Sequence, residues 1–140
     1  MGTSVKATEL LAVPEFPAET TTVAVYANSE GKVAAAILAD LAIADICGAA
    51  LCLIPSTVAE TCVKAGNVDP ALLENFHEVL NICAQLFKGL DETRMVLQSV
   101  CYLPDLDSAE ARNLMSATAR RLSLQVWVTG YGEGNLAVFS

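Results

Sequence analysis

The chain carries few of the side chains from which enzymes are usually built. Among its 140 residues there is one histidine, His77, so a multi-histidine metal shell lacks its parts and a hydrolase triad has a single possible base. No GxSxG, GxxxxGK[ST] or HExxH occurs, which removes the nucleophile elbow, the P-loop and the zincin helix. The five cysteines, Cys47, Cys52, Cys62, Cys83 and Cys101, are odd in number and form no CxxC pair. Lying among apolar neighbours, they read as small core hydrophobes in a reducing compartment, not as a disulfide framework or a zinc site. Basic residues are also scarce. Lys and Arg number 8 against 16 Asp and Glu, a formal net charge of −8. Phosphate contacts need the opposite surplus, so the charge argues against nucleic acid and against an anionic membrane surface.

A membrane span is missing too. Residues 33–55 are the only candidate, and they contain Asp40 and Asp45. An Asp near the centre of a spanning helix costs about 2.5–3.5 kcal/mol. The opening MGTSVKATELL lacks the apolar core of a signal peptide, so the expected location is the cytoplasm.

What the chain has in quantity is aliphatic surface, 54% hydrophobic with 17% charged and 6% aromatic. At this length one domain is expected, and the apolar surplus predicts a buried oligomer interface, most simply a homodimer. Residues 1–19 are weakly patterned and, with Pro14 and Pro17, read as a lead-in to a domain spanning 20–140. TTTVAVYA, 20–27, is rich in β-branched residues and reads as a strand. A turn over 28–31, where Gly31 can take positive φ, returns the chain as a second strand over 32–38. Asp40 caps a helix over 41–54 that is apolar almost all round and is stopped by Pro55. A shorter helix from Ser56 or Thr57 runs to Lys64, with Gly66 and Asn67 as its stop. Residues 94–103 are a strand ended by Pro104, and Asp107 or Ser108 caps a helix over 109–121 whose Ala111, Leu114, Met115 and Thr118 face inwards. Strands over 122–129 and 136–139 close the chain. Gly130, Gly132 and Gly134 between them precede a strand, not a helix, and so read as a hairpin turn and not as a phosphate cradle. The order β-β-α-α-α-β-α-β-β, with a hairpin near each end, predicts an α+β layered domain, a largely antiparallel sheet with helices packed on it.

One stretch organises the rest. PALLENFHEVLNICAQLFK, residues 70–88, places Leu72, Phe76, Val79, Leu80, Cys83, Leu86 and Phe87 at the three- and four-residue spacing of one helix face. Asp69 caps this helix and Pro70 opens it, while Lys88 and Gly89 close it. On the opposite face Glu74, Glu78, Asn81 and Gln85 follow at steps of four, three and four, with His77 at the edge of the row. Taken alone, such a row is a solvated face or a site, and His77 reads as a surface residue beside it.

Glu78-Val79-Leu80-Asn81 and the 22 residues that separate Asn81 from Pro104 resemble the motif of the bacterial chemotaxis phosphatases CheX, CheC and FliY. That motif is an Asp or Ser, three residues, E-x-x-N on a helix, then 22 residues and a Pro. The Gly31 turn with its following strand and helix is similar to the family's approach to the motif, so the likeness covers roughly 23–104. One E-x-x-N copy is present, as in CheX, where CheC has two. The resemblance implies a CheX/CheC-like fold and hydrolysis of the aspartyl phosphate of a CheY-type response regulator. It implies catalytic roles for Asn81, which would align the attacking water, and for Glu78, which would pair with a lysine of the regulator. Glu74, His77 and Gln85 would then contact the partner, and Gly31 and Pro104 would be structural. No cofactor of the protein's own is implied, Mg²⁺ being held by the regulator. Two features depart from the pattern: Glu74 stands where the family has Asp or Ser, and the 109–121 helix is an addition relative to short CheX proteins. Glu74 points to a rival, a non-catalytic module that docks a regulator or flagellar-switch partner. A structural dimerisation domain with a merely wet helix face is a third reading.

Overall fold

All six residues of Thr22–Ala27 are buried, and the layering of the chain around that strand explains why. A computed structural model describes residues 5–10, 16–67, 69–85, 95–116 and 121–140. The strands are β1 (Val5–Glu9), β2 (Thr22–Ala27), β3 (Val33–Ala39), β4 (Val96–Tyr102), β5 (Arg121–Val128) and β6 (Gly132–Phe139). They form one sheet in the order β1-β5-β6-β3-β2-β4, and every neighbouring pair is antiparallel. The helices are α1 (Leu41–Leu51), α2 (Ser56–Ala65), α3 (Pro70–Cys83) and α4 (Ala109–Ser116). This is the α+β layered domain expected from the element order, with the hairpins β2–β3 and β5–β6 in place.

Alternation along the strands separates two cores. Ala24, Tyr26, Ala35, Ile37, Val126 and Val128 face α1 and α3, meeting Ile43, Ala44, Ile46, Phe76 and Leu80. The other face turns Val23, Val25, Ala36, Leu38 and Phe139 towards Leu106 and Ala111, with Leu114 and Met115 of α4 packed alongside. β2 is therefore covered on both faces and flanked by β3 and β4 on both edges. The nearly all-apolar α1 lies between the sheet, α2 and α3, as its composition predicts.

Several boundaries differ from expectation for identifiable reasons. The lead-in contains β1, which pairs with β5 from Val5↔Val128 to Glu9↔Leu124 and so belongs to the sheet. All five of its residues are exposed, which is why no apolar alternation marked it. The first helix stops at Leu51, before Pro55, because Leu53 takes a left-handed conformation at φ 54°. Gly31 and Gly66 adopt positive φ, as their turns require. Ser108 Oγ accepts from the Ala111 N–H at 3.2 Å and so starts α4; Thr118 lies outside the described residues. Cys52 is exposed and the other four cysteines are half-buried, all of them free, so the core reading is corrected for Cys52 and softened for the rest. No helix among the described residues is long and apolar enough to cross a membrane.

The three late glycines serve a turn and the packing beside it. Gly130 and Gly132 take positive φ in the tight β5–β6 turn. A Cβ on Gly134 would lie 2.7 Å from both Asp40 Oδ1 and the Ile43 nitrogen. Gly134 thus lets the start of α1 rest directly on β6. There Asp40 accepts from the Ile43 N–H at 2.9 Å and from the Asn135 N–H at 2.8 Å. It joins the cap of α1 to the sheet.

Candidate functional site

The helix α3 forms where its sequence directs. Asp69 Oδ1 accepts from the Ala71 N–H at 2.8 Å, and Pro70 occupies the first helical position. Leu72, Phe76 and Leu80 are buried, so the helix turns its apolar stripe to α1 and the sheet. Leu86, Phe87, Lys88 and Gly89 lie outside the described residues. Glu74, His77, Glu78, Asn81 and Gln85 are all exposed. Among the described residues none of their side chains makes a hydrogen bond or ion pair. Glu78 and Asn81, three residues apart, are surface neighbours with Cβ atoms about 5–6 Å apart.

What holds this row in place is the opposite face. The Asn75 amide donates to the Gly48 carbonyl at 3.0 Å. A Cβ on Gly48 would lie 2.9 Å from the Leu72 carbonyl carbon, so α1 and α3 touch backbone to backbone there. At the other end the Tyr26 hydroxyl donates to the Leu80 carbonyl at 2.6 Å. The helix tightens at that point, with the Ala84 N–H turned to the Asn81 carbonyl, which suits Leu80 to an outside donor. Burial pushes the Tyr26 phenol far up, with Cys83 adding to the effect, so it stays a donor across the ordinary pH range. Two side chains that the sequence did not single out, Tyr26 and Asn75, thus set the rotation and height of α3. Their signal was absent from local pattern, because each partner is distant in the chain.

The structure does not bring every candidate to one place. Tyr26 pairs with Leu97 and Thr22 with Tyr102 across β2 and β4. Leu80 sits over Tyr26, so Pro104, two residues beyond Tyr102, lies at the far end of β4, roughly 13 Å or more along the strand. It occupies a short 3-10 turn, Leu103–Asp105, where the Leu103 N–H donates to the Thr21 carbonyl at 2.9 Å. Its place is to end the edge strand. Gly31, in the exposed β2–β3 turn, lies at the sheet end nearer Tyr26.

One apolar residue joins the row unexpectedly. Ile82, next to Asn81 and four after Glu78, is 57% exposed. It sets an exposed apolar side chain beside the polar row. Among the described residues no three His, Cys, Asp or Glu side chains converge as a metal group.

No family model and no curated protein matches the chain. Solved structures do. The middle domain of FliM from H. pylori superposes with a TM-score of 0.54 at 11% identity, over 97% of this chain and 71% of that one. The middle domain of FliM from Vibrio alginolyticus gives 0.52 at 12% identity, over 98% and 75%. A chain of the CheX–CheY–BeF3–Mg complex from Borrelia burgdorferi superposes more loosely, with a TM-score of 0.41 at 10% identity over 99% and 83%. The fold is that of the FliM middle domain, and it is the α+β layered fold expected from the sequence.

Proposed function

We propose that α3 docks a CheY-type response regulator and that Asn81, with Glu78, promotes hydrolysis of its aspartyl phosphate. The observation that carries this reading is the exposure of Glu78 and Asn81 side by side, with the 22-residue spacing from Asn81 to Pro104, on a helix pinned from behind by Tyr26 and Asn75. Asn81 can both donate to and accept from a water without competing as a nucleophile. The water oxygen bonds to phosphorus, the bond from phosphorus to the aspartyl oxygen breaks, and inorganic phosphate leaves. The metal and the phosphate are held by the regulator, so the contribution of this chain is alignment. Glu78 pairs with a lysine of the regulator and sets the register of the two surfaces. The protein is read as a cytoplasmic homodimer, a state that light scattering checks.

Glu74 favours a second reading, a docking module without catalysis. Its carboxylate is one methylene longer than the Asp of the motif and stands exposed one turn before Glu78. Following the phosphate lifetime of a phosphorylated CheY-type regulator separates the two. Acceleration that falls by about 10²–10³ in Asn81→Ala supports the phosphatase. Binding with no acceleration leaves the module, and no binding to any cognate regulator removes both.

A further inference from the structure

Asp45 is the anomaly of the interior. It is fully buried, at 0% exposure, and among the described residues neither carboxyl oxygen has a hydrogen-bond partner. Helical spacing puts it on the same side of α1 as Gly48 and Ala49. Gly48 meets the Leu72 backbone of α3, and Ala49 packs with Ala59 of α2 and with Leu72. The carboxyl therefore sits in the seam where three helices meet.

No cation among the described residues answers it there. The charge acting on it is that of Asp69, the cap of α3, which has its own sign. On α2, Lys64 is paired with Glu60 at 3.1 Å and both are exposed. Of the titratable groups of α3, Glu74, His77 and Glu78 are exposed and the half-buried Cys83 carries no positive charge. On its own helix Asp40 is taken up by two backbone N–H groups. From the strands behind α1, Glu133 accepts from Gln125 and Arg121 stacks on Phe139. A bare carboxylate in such a place is far costlier than a neutral acid, because nothing replaces its lost hydration.

We propose that Asp45 is a proton-controlled latch on the α1–α3 seam: the neutral acid lies inside the closed seam, and loss of its proton to water biases the seam to open around Gly48 and Leu72. Burial lifts this carboxyl from its ordinary 3.8 to about 7, with the Asp69 charge adding to the lift. When the seam opens and water reaches the group, it returns towards its ordinary value. The closed form therefore binds the extra proton, so closure is tightest below pH 4, weakens through the window between the two values and levels off above about 7. Because the seam carries the first half of α3, the latch sets how firmly the row from Glu74 to Gln85 is presented. That last consequence rests on the docking role proposed for α3; the latch itself does not.

Hydrogen exchange of the full chain, corrected for intrinsic rates, tests it without any partner. Between pH 5 and 7 the protection of amides 47–49 and 72–76 should fall by roughly tenfold per pH unit. In Asp45→Asn the same amides should show no such slope, while those of β2 stay equally protected in both proteins. Asp69→Asn retains a capping residue and removes only the like charge, so the levelling point should move to lower pH. This variant also decides the matter if Asp45→Asn does not fold. A flat profile in the wild type, an unchanged slope in Asp45→Asn or an unmoved levelling point in Asp69→Asn would overturn the latch. Regulator binding, measured separately, can fail while the exchange slope persists; that outcome removes the docking role and leaves the latch standing.

Discussion

The hydroxyl of Tyr26, on β2 beside the edge strand β4, donates to the carbonyl of Leu80, 54 residues on and immediately before Asn81. The sheet thus reaches the backbone of the candidate site directly. A change at Tyr26 should be felt at Asn81 although the two side chains lie on opposite sides of α3.

Tyr26→Phe keeps the ring and leaves the Leu80 carbonyl without this donor. The expected loss is about 1–3 kcal/mol of stability, read from the midpoint of urea unfolding at unchanged slope. A phosphatase rate, where present, should fall with it, while Tyr26→Phe and Asn81→Ala combined should be no slower than Asn81→Ala alone.

Gly48→Ala should be among the most damaging single-methyl changes in the chain. Its Cβ would press on the backbone of Leu72, and backbone cannot rotate away as a side chain can. Forced separation of packed helices costs about 1–3 kcal/mol. Thermal unfolding measures it, and because Gly→Ala within a helix would otherwise stabilise by about 1 kcal/mol, a lowered midpoint reports the steric contact.

Glu74→Asp restores the shorter acid at the position four before Glu78. If the extra methylene holds the partner away, regulator dephosphorylation should quicken, by a few-fold on the order of 1 kcal/mol. A rate equal to wild type would show that Glu74 does not control approach.

The cysteines should separate by reactivity. Burial, with the neighbouring Cys83 and Asp40, pushes the Cys47 thiol up to about 12, leaving about one part in ten thousand as thiolate at pH 8. Cys52 is exposed. Iodoacetamide on the native protein, mapped by mass spectrometry, should therefore label Cys52 first and Cys47 only on unfolding. Early labelling of Cys47 would show that the α1–α3 packing is looser than described.

Local chemistry alone determined much of this protein. Asp40 and Asp69 cap their helices because an Asx side chain can reach the next N–H groups whatever lies beyond. The row Glu74-Glu78-Asn81-Gln85 faces solvent because the apolar stripe at Leu72, Phe76 and Leu80 can be buried only one way. Both hairpins follow from short glycine-bearing turns between β-rich segments. Tertiary structure decided the rest, because it depends on what lies across a gap in sequence. β1 joins the sheet through backbone hydrogen bonds, which leave no mark on an exposed VKATE. Gly48 and Gly134 are set by the approach of distant backbones, and the distance of Pro104 from Asn81 by the length of an edge strand. Asp45 shows the difference most clearly. In the sequence it is a charge that argues against a membrane span; in the fold, packing of three helices encloses it with no partner among the described residues, and burial changes what that charge can do.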